Sequence, residues 1–193
     1  MKTLLKRKGF TLTETLIGLV VLLILAGTVS AVMMSGFGIY GRTALRNSAQ
    51  SAGDTAYELI SSRLTYAVNL TISDNASYVG NNYDVKVDGA VCIYIPADGG
   101  RVGLGVGSLA PPDVIKPDQL RNMRLNVSAE YQSDTLVGLA VSVESSDDGR
   151  TLYSRSGTIR LMNASNPGLD SFCDVQSSDN STSDLYFVFT ELA

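Results

Sequence analysis

The stretch that decides the fold is Lys6-Arg7-Lys8-Gly9-Phe10-Thr11-Leu12-Thr13-Glu14, which stands directly before a run without charged residues from Thr15 to Gly41. At about 1.5 Å per residue, a helix over this run reaches about 40 Å, which exceeds the roughly 30 Å hydrocarbon core of a bilayer. A carboxylate at the centre of a membrane helix costs roughly 2.5 to 3.5 kcal/mol on insertion scales. Glu14, at the head of this run, therefore needs a partner.

The order of the features excludes an ordinary secretory signal. Such a signal carries its apolar run before the cleavage site, so that cleavage removes the run. Here the small residue Gly9 precedes the run. Cleavage after Gly9 would remove the basic leader and leave Phe10 as a new N-terminus. Its free amine, four residues from Glu14, is a candidate partner for that carboxylate, on the same chain or on a neighbouring one.

The segment from Gly9 to Glu14, followed by the apolar residues Thr15 to Ile24, resembles the prepilin-type cleavage and methylation segment of type IV pilins and type II secretion pseudopilins. The resemblance implies cleavage after Gly9 by a membrane prepilin peptidase and N-methylation of Phe10. It also implies assembly through helices bundled in a filament core. Glu14 would then face the methylated amine of an adjacent subunit.

Two positions depart from the family pattern. Thr13 and Thr15 flank the acid where the family is usually apolar, and Ala31 stands where many members have a helix-bending proline. Neither departure removes the processing motif. The partners that the resemblance implies are other pilin or pseudopilin subunits, the prepilin peptidase, the inner-membrane assembly platform and membrane lipid, and it implies no cofactor.

The charges on either side of the apolar run predict its orientation. Four basic residues precede it and Arg42 and Arg46 follow it, which favours a cytoplasmic N-terminus. We therefore predict a single-pass membrane protein that reaches the cell surface in an extracellular filament. Its parts are a leader at 1–9, a transmembrane and assembly helix at 10–41, and an extracytoplasmic, pilin-like globular domain at 42–193.

The hydrophobic pattern after Arg42 predicts an α+β fold. Apolar residues recur at steps of three and four to about Val68, which indicates an amphipathic continuation of the helix. After Asn69 the pattern alternates, which indicates an antiparallel sheet on which the long helix packs. Strands are predicted at 83–87 and 90–95, as a hairpin around Asp88-Gly89, and at 123–131, 136–144, 152–162 and 185–189, with loops at 97–122 and 163–184.

The composition excludes several kinds of function. The chain has no histidine, which removes Ser-His and Cys-His catalysis and histidine metal sites, and we predict that it is not an enzyme. Loss of the leader's four basic residues leaves 11 basic and 19 acidic residues, a formal net charge of −8, so nucleic-acid binding is not predicted. Four aspartates, Asp170, Asp174, Asp179 and Asp184, lack the spacing of a calcium loop, and no metal site is predicted.

The two cysteines, Cys92 and Cys173, are 81 positions apart and form no Cys-x-x-Cys motif. In an extracytoplasmic domain we expect them to form a disulfide, which would stabilise the fold by roughly 4 to 5 kcal/mol in the chain-entropy model. The alternative is two buried free thiols.

Two classes of function remain open. One is a structural subunit, minor rather than major, of a type IV pilus or a secretion pseudopilus. The other is a membrane-anchored extracellular binding or adhesion domain that does not polymerise. Gly9 and Glu14 favour the first class, because a simple anchor needs neither a cleavage site nor a buried acid before its helix.

Overall fold

The structure is a computed structural model of the chain, and it describes residues 11–74, 90–106, 111–163, 173–175, 178–181 and 183–191. Residues up to Ala44 form one compact unit, and Leu45 to Ala193 form a second. The helix α1 (Leu12–Thr65) contributes residues to both units. The chain has no proline before Pro96, so nothing interrupts the helical hydrogen bonds over this length.

The part of α1 in the first unit is apolar and exposed. Every described side chain between Thr11 and Ala44 is exposed to solvent in the isolated chain. Such an exposed apolar surface is expected of a segment that lipid or other chains cover.

The part of α1 in the second unit is amphipathic, as predicted. Its buried residues recur at steps of three and four, and they belong to one core together with residues of both sheets. The helix ends at Thr65, three residues before the predicted end. The buried positions are Ala49, Gly53, Ala56, Ile60 and Leu64.

The first sheet has six strands. They are β1 (Ala67–Ser73), β2 (Val91–Ile95), β3 (Val102–Val106), β4 (Asp113–Ile115), β8 (Cys173–Val175) and β10 (Leu185–Glu191). Across the sheet their order is β4-β3-β2-β10-β1-β8. All pairs are antiparallel except β1 with β8, which is parallel. Strand β10 lies in the interior of the sheet, where Leu185, Phe187 and Phe189 face the core.

The second sheet has four antiparallel strands. They are β5 (Met123–Ser133), β6 (Leu136–Ser145), β7 (Thr151–Arg160) and β9 (Ser178–Asp179), and a short helix α2 (Pro117–Leu120) precedes β5. Across the sheet their order is β7-β6-β5-β9. The long strands alternate between buried and more exposed residues, so one face lies against the core.

The predicted α+β arrangement of a long N-terminal helix with antiparallel strands is confirmed, and three details were wrong. The single predicted sheet is two sheets. The predicted loop at 97–122 contains β3, β4 and α2, because its glycines allow close packing: a Cβ at Gly105 would lie 2.8 Å from Pro111. The predicted loop at 163–184 contains β8 and β9.

The predicted hairpin around Asp88-Gly89 is only partly covered, because residues 75–89 lie outside the described residues. Its second strand exists as β2. However, β2 pairs with β10 on one edge and with β3 on the other, along most of its length. The strand predicted at 83–87 lies outside the described residues.

Candidate functional site

The first turn of α1 is built around Thr11 and Glu14. The backbone N–H of Glu14 donates to the carbonyl oxygen of Thr11 at 3.1 Å and lies 3.3 Å from its Oγ1. Thr11 thus acts as an N-cap, since its hydroxyl accepts from one of the N–H groups that a helix start leaves unpaired. The negative side chain of Glu14 in this first turn also interacts favourably with the helix dipole.

The threonines beside Glu14, which depart from the family pattern, are accommodated by the helix itself. The hydroxyl of Thr15 donates to the carbonyl oxygen of Leu12 at 2.8 Å, and the hydroxyl of Thr13 lies 3.1 Å from that of Thr11. Bonds of this kind satisfy a hydroxyl inside an apolar helix without a partner from another chain. Glu14, by contrast, is an ionisable group, and these backbone bonds do not supply it with a cation.

Beyond Glu14 the helix is long and apolar enough to cross a membrane, and none of its apolar window is buried in the structure. Leu16, Leu19, Leu22 and Leu23 are each about 60% exposed or more. Glu14 therefore stands at the head of an uncovered apolar surface. The arrangement fits a single-pass membrane anchor.

Residues 4–30 match the family model described as the prokaryotic N-terminal methylation motif. This chain carries the prepilin-type signature of type IV pilins and pseudopilins. The match contains Gly9, Phe10 and Glu14 and ends within the apolar run. No curated protein and no solved structure matches the chain. The prepilin-type segment is thus identified from its sequence, whereas the globular part is characterised by its structure alone.

Gly9 and Phe10, the predicted processing residues, lie outside the described residues. Glu14, the predicted assembly residue, is described and exposed. The cleavage position and the pairing of Glu14 with the amine of Phe10 remain predictions.

The two cysteines of the predicted disulfide lie on strands that are not neighbours in the first sheet. Cys92 in β2 is opposite Val188, Val188 is opposite Thr71, and Leu70, the neighbour of Thr71, is opposite Cys173 in β8. Three inter-strand spacings, about 14 Å, therefore separate the two backbone positions. A disulfide needs Cα atoms within about 7 Å. Cys92 is a free, buried thiol, and burial raises its pKa to about 12.

Two of the four aspartates considered from the sequence accept hydrogen bonds from nearby residues. Among the residues that the structure describes, no group of three or more acidic or thiol side chains could hold an ion. Of the four aspartates considered from the sequence, Asp179 accepts hydrogen bonds from the backbone and hydroxyl of Ser181. Asp184 accepts from the hydroxyl of Tyr94 at 2.9 Å and from the backbone N–H of Ala97 at 2.9 Å. Both carboxylates thus have local structural partners.

Sequence reasoning missed a cluster that joins α1 to β7 within the second unit. Asp54 of α1 accepts hydrogen bonds from Tyr153 and from Arg155, which is 2.8 Å away. The hydrogen bonds from these two donors lower the pKa of the Asp54 carboxyl, and the bond from Tyr153 has the larger effect. The guanidinium of Arg155 also lies 4.2 Å from the ring centroid of Tyr57. No local pattern could have revealed the cluster, since its members are about 100 residues apart in the chain.

Proposed function

We propose that this chain is a structural subunit, and a minor one, of a type IV pilus or a secretion pseudopilus. After cleavage by a prepilin peptidase, it would assemble with other pilin subunits through its N-terminal helix, on an inner-membrane platform. The observation that carries the proposal is the position of Glu14: it lies inside the methylation motif, at the head of an apolar helix whose side chains are exposed.

The mechanism follows from the energetics of this carboxylate. Near lipid, an unpaired acid is unfavourable, and so is the new amine that cleavage after Gly9 creates at Phe10. The amine of a laterally packed neighbour can approach Glu14, and each group then offsets the cost of the other. Because this pairing is available between subunits, it favours the filament over the dispersed membrane form. The exposed apolar face of α1 would pack against other helices in the same step.

The minor role rests on the size of the globular unit, which contains two sheets and ten strands within the described residues. The long loop expected at 97–122 gives no support, because it contains β3, β4 and α2. If the role is minor, quantitative mass spectrometry of sheared filaments should find this chain at well below the amount of the most abundant subunit.

The assembly proposal is tested with Glu14→Gln, which removes the charge and keeps the shape. The matched control is Thr15→Ala, which changes the neighbouring exposed residue without altering charge. We expect both variants to insert into the membrane. Filament incorporation should fall at least about tenfold for Glu14→Gln, because breaking a desolvated charge pair costs several kcal/mol. It should stay near wild type for Thr15→Ala.

Membrane and sheared-filament fractions, blotted for each variant, give the measurement. Equal incorporation of wild type and Glu14→Gln would remove the charge-pairing argument. It would favour the second candidate function, a membrane-anchored extracellular binding or adhesion domain that does not polymerise.

A further inference from the structure

The turn that joins β6 to β7 contains an aspartate followed by a glycine, Asp148-Gly149. Residues 146–150 are all exposed. Gly149 has a φ of 65°, and no atom lies within 4 Å of the position that a Cβ would take. The glycine is therefore uncrowded, and its backbone has the conformational freedom that an exposed turn allows.

An aspartate before a glycine can react with its own backbone. The amide nitrogen of the glycine attacks the Cγ carbon of the neutral carboxylic acid, and a five-membered succinimide ring closes. The amide proton and the hydroxyl of the acid leave as one water molecule. Water then opens either carbonyl of the ring. One product is the original chain, and the other is an isoaspartate, in which the chain continues through the side-chain carbonyl.

A second Asp-Gly pair, Asp98-Gly99, has different surroundings. Gly99 is buried, its N–H donates to the carbonyl oxygen of Pro96 at 2.8 Å, and its carbonyl oxygen accepts from the N–H of Leu125 at 3.0 Å. A Cβ on Gly99 would overlap the carbonyl oxygen of Leu125. The sequence has three such pairs, and the third, Asp88-Gly89, lies outside the described residues.

The hydrogen bonds around Asp148 lie in an exposed turn. The N–H of Gly149 donates to the carbonyl oxygen of Ser145 at 2.9 Å, and the N–H of Arg150 donates to Oδ1 of Asp148 at 3.2 Å. The Asp148 side chain is 53% exposed, so water can replace these bonds when the turn opens. Opening the backbone at Gly99 would instead break bonds of a buried residue.

We propose that Asp148-Gly149 is a site of spontaneous isoaspartate formation in the folded protein, and that the fold protects Asp98-Gly99. The reaction needs the turn to open until the nitrogen of Gly149 reaches Cγ of Asp148. Exposed loop tips open at the lowest cost in free energy. An isoaspartate adds one carbon to the backbone of the turn and removes the side-chain carboxylate that accepts from Arg150. The turn between β6 and β7 would then change shape as the protein ages.

The pH dependence follows from the form of the acid that reacts. Hydrogen bonds from the Ser145 hydroxyl and from the backbone N–H of Arg150 lower the pKa of the Asp148 carboxyl. The guanidinium of Arg150, with Nε 3.8 Å from Oδ2, also favours the charged form. The neutral acid is therefore scarce at pH 7, and isoaspartate should form faster at pH 5.

The test incubates the full chain in lauryldimethylamine oxide at both pH values. An isoaspartyl methyltransferase with labelled S-adenosylmethionine detects the product, and electron-transfer fragmentation of peptides locates it. In the folded protein we expect isoaspartate at Asp148 to form at least about tenfold faster than at Asp98. In urea the two rates should be similar, because the protection of Asp98 comes from the fold. Since the chain is unassembled, the result is independent of the proposed filament role.

Variants identify the reacting group. Asp148→Glu would require a six-membered ring, so the altered linkage at this position should form at least about tenfold more slowly. Asp148→Asn closes the same five-membered ring with loss of ammonia and needs no protonated acid, so it should react faster than wild type at pH 7. The matched control is Asp147→Glu, at an exposed aspartate that no glycine follows, and it should leave the rate at Asp148 unchanged. Circular dichroism of each variant verifies folding.

Three results would overturn the proposal. One is the absence of isoaspartate at Asp148 in the folded protein under conditions where the chain in urea forms it. Another is an equal or greater rate at Asp98 than at Asp148 in the folded protein. The third is an altered linkage at position 148 that forms as fast in Asp148→Glu as in wild type.

Discussion

Arg155 on β7 donates a hydrogen bond to the carboxylate of Asp54 on α1 at 2.8 Å, across a separation of 101 residues in the chain. Tyr153 donates to the same carboxylate oxygen. Together they tie the amphipathic part of the helix to the edge strand of the second sheet. An inward-facing charge on an edge strand also discourages pairing with another sheet, and here that charge has a partner.

The first prediction concerns the pH dependence of this cluster. The hydrogen bonds from Tyr153 and Arg155 lower the pKa of Asp54 below its ordinary value of 3.8. A carboxyl with a lowered folded pKa stabilises the fold fully above its ordinary pKa, and the contribution is lost as the pH falls below it. Asp54→Asn should therefore lower the Tm at pH 7, and the difference from wild type should shrink at pH 3.

Thermal unfolding by circular dichroism at both pH values gives this measurement. Asp118→Asn, at an exposed carboxylate in α2, is the matched control and should leave the Tm unchanged. A Tm difference for Asp54→Asn that is the same at pH 3 and pH 7 would contradict the charge argument.

The second prediction concerns Gly157, which allows the hydroxyl of Tyr57 to approach β7. A Cβ at this position would overlap that hydroxyl, whereas the Tyr57 Cζ would be 3.5 Å away, an ordinary contact. Gly157→Ala should cost about 1 to 3 kcal/mol of unfolding free energy, as overpacking does. Tyr57→Phe removes the clashing oxygen and should recover part of that loss in the double variant.

Denaturant unfolding of the single and double variants gives the coupling energy. Gly138→Ala on the adjacent strand is the control, since the only atom closer than 3 Å to its new Cβ is at the flexible end of Gln132, and it should cost less than about 1 kcal/mol. Additive effects of Gly157→Ala and Tyr57→Phe would show that the hydroxyl does not set the requirement for glycine.

The third prediction is cleavage between Gly9 and Phe10. The leader, the small residue and the apolar run stand in the order of the prepilin-type segment, which the match over residues 4–30 contains. Mass spectrometry of the mature protein should show a chain that begins at Phe10 and carries one extra methyl group. Gly9→Leu should keep its leader, and Glu14→Gln should still be cleaved. Recovery of assembled wild-type protein with an intact leader would refute the processing scheme.

The fourth prediction is that Cys92 and Cys173 are both free, in place of the disulfide expected from the compartment. The strand order separates their backbones by about 14 Å. Thiol labelling of unfolded, unreduced protein should therefore modify two thiols per chain. In the folded protein Cys92 should react slowly, because it is buried and its pKa is raised to about 12. If labelling requires prior reduction, the two cysteines form a disulfide and this prediction is wrong.

The sequence by itself determined the features that depend on neighbours along the chain. The prepilin-type segment is a linear motif, and its signals lie between Lys6 and Glu14. The helix follows from an apolar run and then a stripe with helical spacing, without proline. Strands β5, β6 and β7 follow from alternating residues, because a strand with one buried face has a period of two.

Only the tertiary structure decided which distant segments meet. The segment 97–122 is rich in glycine and proline and resembles a loop locally, yet close packing against Pro111 turns part of it into strands. Likewise, the sequence around Asp54 or around Arg155 contains no local pattern that predicts the contact between them. Strand order, register and contacts between distant side chains depend on how the elements share one core, and that information is absent from any short window of sequence.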